Sequence, residues 1–228
     1  MSGHSNSAGA GTPGSDPATD RPRRHSRSTD AEQAILDATE RLLADTSLHE
    51  LSVAQIIASA GISRATFYFY FGSKFAVLTA LVDRAIGEIL QVSQQSLERA
   101  RGLPTELALR QRIQASARIW EANRPVLQAT VENWNAIAEL RSVWLRALGR
   151  LTDGLASEID RERATGRAPG GPDSRSLAAT LVWTTERCLY VSGLGLGDAL
   201  DGEANVVDAL TRIWLGAMYG AGDHVAAA

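Results

Sequence analysis

The chain has 228 residues, 44% hydrophobic and 21% charged, with a formal net charge of −3 and a pI near 5.8. That length buries a substantial core in one large or two small domains, and that charge excludes a protein that coats nucleic acid by bulk positive potential, so any DNA contact has to be local. No apolar run is long enough to span a bilayer, no signal-peptide core is present, and the single Cys188 excludes an internal disulfide and a cysteine zinc site; a cytoplasmic protein with no membrane partner is expected.

Residues 1–28 are Gly, Ser, Pro, Asp and Arg with scarcely an apolar side chain, and are expected to be a disordered arm. Arg21, Arg23, Arg24 and Arg27 make its end basic, with no acid after Asp20; such an arm either follows DNA phosphates and a minor groove or is a solvated tail. Thr29 and Glu32 form a capping-box pattern that opens a first helix. Its apolar residues Ala31, Ala34, Ile35, Ala38, Leu42 and Leu43 keep helical spacing, and it should end near Thr46.

Two short helices are predicted over 52–59 and 63–70, hinged at Gly61. Ser52 caps the first and pairs with Gln55 in a capping box, and Ser63 caps the second. This is a helix-turn-helix, the device that lays one helix into a DNA major groove. Ile62, Phe67 and Phe71 can bury, whereas Arg64, Ala65, Thr66, Tyr68, Phe69 and Tyr70 include the outward positions. Arg64 suits guanine edges, Ala65 and Thr66 suit thymine methyls or base edges, and the tyrosine hydroxyls suit phosphate. Ser63 belongs to the same DNA-facing set, and Lys74 and Ser52 are expected to meet phosphates at the ends of their helices. The DNA-binding domain is thus placed at 29–75.

Ser73 caps a long helix with a wide apolar stripe from Phe75 to Val92, lasting to about Arg101. Gly102 and Pro104 break it, and helices follow over 105–122, 125–137 and 139–165, separated by Asn123-Arg-Pro125 and a short turn. After a Gly/Pro loop at 166–172, Asp173 or Ser174 caps a helix to about 191. Gly193-Leu-Gly-Leu-Gly197 ends it, a last helix covers 203–219, and 221–228 is a disordered tail. Nine helices, with no alternating run and no Asn-Gly hairpin, make the fold all-α, with a second, larger domain over 76–220.

All five tryptophans, Trp120, Trp134, Trp144, Trp183 and Trp214, lie in that second domain, as a small-molecule cavity requires, although any one of them can be ordinary core. Glu186 sits mid-helix between Trp183 and Tyr190, beside Thr184 and Thr185. A carboxylate there must face a cavity or find a partner such as Arg187 or Arg212. The last helix carries Val206, Val207, Leu210, Ile213, Trp214, Ala217 and Met218; with Leu177, Ala178, Leu181 and Val182 these form either a four-helix interface between two copies or core within one. A two-fold dimer requires a palindromic operator.

Other signals fail. The Gly193–197 glycines follow a helix, not a strand, as a nucleotide loop would. His4, His25, His49 and His224 lie in tails or loops without an i, i+4 pair, and Cys188 reads as a small buried hydrophobe. No metal, cofactor or nucleophile–base pair is expected, so the chain is not read as an enzyme. The alternative is a helical-bundle small-molecule binder or enzyme whose helix-turn-helix is only structural.

Gly61-Ile-Ser-Arg-Ala-Thr-Phe-Tyr-Phe-Tyr-Phe-Gly-Ser-Lys74 resembles the signature of TetR-type transcriptional regulators. Phe67-Tyr-Phe-Tyr-Phe71, Glu186-Arg187 and Ile213-Trp-Leu-Gly-Ala-Met-Tyr-Gly220 further resemble the subgroup that represses an ethionamide-activating monooxygenase, over roughly residues 29–220. The resemblance implies a nine-helix TetR-type fold and a homodimeric repressor, joined through its last two helices, that leaves a double-stranded DNA operator when a small, mostly apolar effector enters the larger domain. It implies that Leu109, Ser116, Leu151, Thr185, Glu186 and Trp214 line the cavity, beside the aromatic candidates Trp120, Trp144 and Trp183. Where that subgroup has amide side chains in the penultimate helix, this chain has Val182 and Thr185.

Overall fold

The computed structural model describes residues 21–99, 103–195, 200 and 202–220; the expected tail at 221–228 and residues 1–20 of the arm lie outside this range. Among the described residues are nine α-helices and no strand: α1 (Arg21–Leu43), α2 (Val53–Ala60), α3 (Arg64–Tyr70), α4 (Lys74–Arg99), α5 (Thr105–Ala122), α6 (Arg124–Asn133), α7 (Ala138–Ala164), α8 (Ser174–Gly193) and α9 (Glu203–Tyr219).

The caps act where the sequence places them. Ser52 and Gln55 make the full capping box at α2, and Gly61 ends that helix in the left-handed region at φ 65°. Ser63 Oγ accepts from the Thr66 amide at α3, and Ser73 Oγ from the Ala76 amide at α4. Of the two candidates at α8, Asp173 is the cap, accepting from the Ser176 amide at 2.9 Å. Each bond satisfies an amide that a helix start would otherwise leave without a partner.

Two helix bounds differ from expectation by a full turn or more, and α1 also ends at Leu43, three residues short of Thr46. Helix α1 begins at Arg21, eight residues before the Thr29 capping box, so residues 21–28 are helical, not a disordered arm. Pro22 fits the first turn because the amide it lacks has no intrahelical acceptor there. Helix α6 stops at Asn133, not near Ile137: its Asn133 side chain donates back to the Ala129 carbonyl, and the chain turns through 134–137 before α7.

Helices α1 to α3 enclose Ile35, Leu51, Ile56 and Phe67, all at most 1% exposed. The core continues along α4 through Val77, Leu81, Ala85 and Ile86 into the larger bundle, where α4 packs on α5 and α7, α7 on α8, and α9 on α5. Helix α4 is therefore common to both parts of the molecule. At its start the Lys74 ammonium donates to the carbonyls of Leu48 (2.7 Å), His49 (3.3 Å) and Leu51 (2.6 Å), and Arg84 pairs with Glu40 of α1 at 2.7 Å.

No helix of the described residues is long and apolar enough to cross a membrane.

Candidate DNA interface and effector cavity

Helix α3 turns Phe67 fully inward, with Phe71 just beyond it also buried, which fixes what the rest of its surface can offer. Arg64, Ala65, Tyr68 and Phe69 face solvent, Phe69 at 77% exposure and Tyr68 at 47%. The Arg64 guanidinium lies 5.4 Å from the Tyr68 ring centre, a contact that holds the fork outward beside an aromatic face. The outward patch thus has one cation, one methyl and two rings on a single short helix, the chemistry that reads base edges and methyl groups.

Four other expected DNA residues are placed differently. Thr66 is half-buried with its hydroxyl 2.8 Å from the Ser63 hydroxyl, and Tyr70 is half-buried against the core. Ser52 is exposed, but its hydroxyl is engaged with Gln55. The Lys74 ammonium, expected at a phosphate, is spent on three backbone carbonyls, and burial lowers its pKa. A lysine so tied locks the loop between α1 and α2 onto α4.

The larger part of the molecule encloses a cavity of about 170 Å³. Its wall is read out at helical spacing from five helices: Ile86, Ile89, Leu90 and Gln94 of α4; Arg112, Ile113, Ser116 and Trp120 of α5; Trp144, Leu148, Leu151, Gly154, Leu155 and Glu158 of α7; Val182, Thr185, Glu186 and Leu189 of α8; and Trp214 of α9. Gln94 and Gly154 are exposed, which sets the mouth between α4 and α7.

Seven of the nine expected lining residues, Ser116, Trp120, Trp144, Leu151, Thr185, Glu186 and Trp214, are brought together here. Two are not. Trp183 lies on another face of α8 and packs on Trp134, ring centres 6.2 Å apart; Leu109 is buried but falls a turn before the α5 lining. Sequence reasoning missed the α4 wall and the Arg112–Glu158 pair. The i, i+3, i+4 stripe of α4 carried a signal for the first, since it is wider than one packing face needs, but two oppositely charged residues 46 positions apart carry none.

The polar groups of the cavity are few. Arg112 Nη1 donates to Glu158 at 2.5 Å with both side chains 9% exposed, and its guanidinium lies 4.9 Å from the Trp214 ring centre. Trp214 Nε1 donates to Thr185 Oγ1 at 3.0 Å. Arg112 Nη2, Trp144 Nε1 and both Glu186 carboxylate oxygens are buried without a hydrogen-bond partner, and burial pushes the Glu186 pKa up against a smaller opposing effect of Arg187.

Of the apolar residues on α9, Val206, Val207, Leu210, Trp214 and Met218 are buried within the subunit, as are Ala178, Leu181 and Val182 of α8. Ile213 and Ala217 remain outside, with Ile213 46% exposed beside Gly216.

Residues 35–81 match the family described as bacterial regulatory proteins of the tetR family, and residues 109–220 match the C-terminal domain of the transcriptional regulator EthR. The HTH-type transcriptional regulator EthR of Mycobacterium tuberculosis is 34% identical over 202 residues, covering 88% of this chain and 93% of that protein. Among solved structures, a TetR-family transcriptional regulator from Syntrophomonas wolfei superposes with a TM-score of 0.70 at 16% identity, covering 87% of this chain and 99% of its own. The regulator FadR from Bacillus subtilis, solved with stearoyl-CoA, does so with a TM-score of 0.65 at 18% identity, covering 83% and 99%.

Proposed function

The chain belongs to the TetR family of bacterial transcriptional regulators, with an EthR-type C-terminal domain, and from that premise we propose that it is a dimeric repressor that grips a palindromic operator through α3 and releases it when a small, mostly apolar effector fills the cavity. One observation carries this reading: α4 serves both sites. Its first turns are fastened to the DNA-binding unit by Lys74 and Arg84, while Ile86, Ile89, Leu90 and Gln94 form a wall of the cavity. An effector that binds better when this wall is displaced favours a conformer in which α4 has pivoted and the two recognition helices of the dimer no longer match one DNA turn. Equal affinity for both conformers would shift nothing.

The exposed strip on α9, a large apolar Ile213 beside the small Gly216 and Ala217, supports self-association through α8 and α9. On α3, the outward Arg64, Ala65, Tyr68 and Phe69 support base reading, with Ser52, Ser63, Thr66 and Tyr70 at the edge of the contact.

Selection from random duplexes is expected to return a palindrome. Arg64→Ala should then weaken that operator by about 1–3 kcal/mol and relax the preference at one base pair, with thermal stability unchanged. Recovery of no enriched sequence, or equal operator affinity in the variant, overturns the proposal.

A further inference from the structure

Among the described residues of the cavity wall, Glu186 is the one ionisable group whose charge finds no compensation inside it. Its side chain is 3% exposed and both oxygens lack a hydrogen-bond partner. Its ion-pair partner, Arg187 Nε, lies 3.8 Å away on the adjacent residue of the same helix, beyond hydrogen-bond reach and with its own side chain 53% exposed. The remaining ionisable wall residues, Arg112 and Glu158, are joined at 2.5 Å and cancel each other. An ionised Glu186 therefore leaves the cavity with one net negative charge, in a lining that is mostly apolar and whose uncharged polar side chains are Gln94, Ser116 and Thr185. Trp120 and Trp144 meet edge-on at 6.4 Å across the same space, and indole faces attract cations.

We infer that the cavity selects an effector with an apolar body and one protonated nitrogen, seated with its N–H groups on the Glu186 carboxylate. The inference rests on the cavity being the effector site. A buried carboxylate without a partner is costly, and an ammonium group is the ligand chemistry that removes that cost by both charge and hydrogen bonding. A carboxylate amphiphile meets the opposite balance: it sets a second negative charge beside Glu186 and finds Arg112 already neutralised by Glu158. The two donors left over, Arg112 Nη2 and Trp144 Nε1, make an oxygen acceptor elsewhere in the effector a further gain.

The test uses n-octylamine, n-octanol and n-octanoate below their micellar concentrations, titrated calorimetrically into the full chain at neutral pH and fixed salt, with Glu186→Gln as the comparison. In the wild type, octylamine is expected to bind at least about tenfold more tightly than octanol, and octanoate most weakly of the three, as a desolvated charge pair requires. Glu186→Gln should abolish the amine's advantage while leaving octanol affinity within about threefold, because only the charged partner has been removed. Octanol or octanoate matching or exceeding octylamine in the wild type, or an undiminished amine preference in the variant, overturns the cation preference and leaves the cavity as an effector site. Binding of none of the three overturns both readings. Should the variant fail to fold, the wild-type order of the three compounds decides alone.

Discussion

Two side chains show how burial changes what a residue type is for. Lys74 has the position of a phosphate contact, but its ammonium is held by the carbonyls of Leu48, His49 and Leu51. Lys74→Met is accordingly expected to lower stability by about 1.5–3 kcal/mol, the range for hydrogen bonds to a charged group, and to leave the salt dependence of operator binding unchanged in slope. Thermal melting and a salt titration separate this from loss of a phosphate contact, which would lower the slope by about one. Glu186 is the converse, a buried carboxylate with no hydrogen-bond partner. Its folded-state pKa is raised, chiefly by burial, so the stability it contributes is present below the ordinary carboxyl range and is lost as pH rises through the raised value. Arg187 opposes the shift, and the Arg112–Glu158 pair shares the same cavity. Glu186→Gln does not titrate, so the variant should match the wild type in acid and exceed its melting temperature by about 2–4 °C at neutral pH for each kcal/mol of relieved burial cost. Melting curves that stay parallel from acid to neutral pH would show that the carboxylate has found a partner.

At the scale of the element, the turn between α2 and α3 is set by a single backbone conformation. Gly61 has φ 65° and nothing within 4 Å of where a Cβ would stand, so the cost of a side chain there is purely conformational. Gly61→Ala is expected to cost about 1 kcal/mol in urea denaturation and Gly61→Asn distinctly less, because asparagine enters the left-handed region more readily. Equal losses would mean a steric cause. The larger helices follow a different rule: α7 presents Trp144, Leu148, Leu151, Leu155 and Glu158 at alternating steps of four and three, and α8 presents Val182, Thr185, Glu186 and Leu189 at i, i+3, i+4 and i+7, the same helical face. That spacing explains why Trp183 is absent from the cavity: one residue along a helix from Val182 rotates it about 100° away, toward Trp134.

For the whole molecule, α4 is the mechanical link, tied to α1 by Arg84–Glu40 and to the loop before α2 by Lys74, and exposed to the cavity along its second half. Gly154 offers a way to obstruct that cavity without disturbing the core, since nothing lies within 4 Å of its missing Cβ and it stands at the mouth. Gly154→Leu is expected to raise stability by about 1 kcal/mol, as replacing a mid-helix glycine does. It should also weaken all three octyl compounds in calorimetry by about tenfold or more, with circular dichroism unchanged. Unaltered binding would place the ligand elsewhere.

The helices, their caps at Ser52, Ser63 and Ser73, the turn at Gly61 and the family were all legible in the amino-acid order, because caps, turns and apolar periodicity are local and act within four residues of chain. The start of α1 at Arg21 was not, since a weakly apolar segment can be helical without announcing it. What only the tertiary structure decided are the long-range matters: that Lys74 folds back onto three carbonyls, that Val206, Val207 and Leu210 are core within one subunit, that Arg112 neutralises Glu158 from another helix, and that no other helix brings Glu186 a hydrogen-bond donor. Each depends on which groups meet across 20 or more residues of sequence, and there the packing of whole helices, not the preference of any one residue, selects the partner.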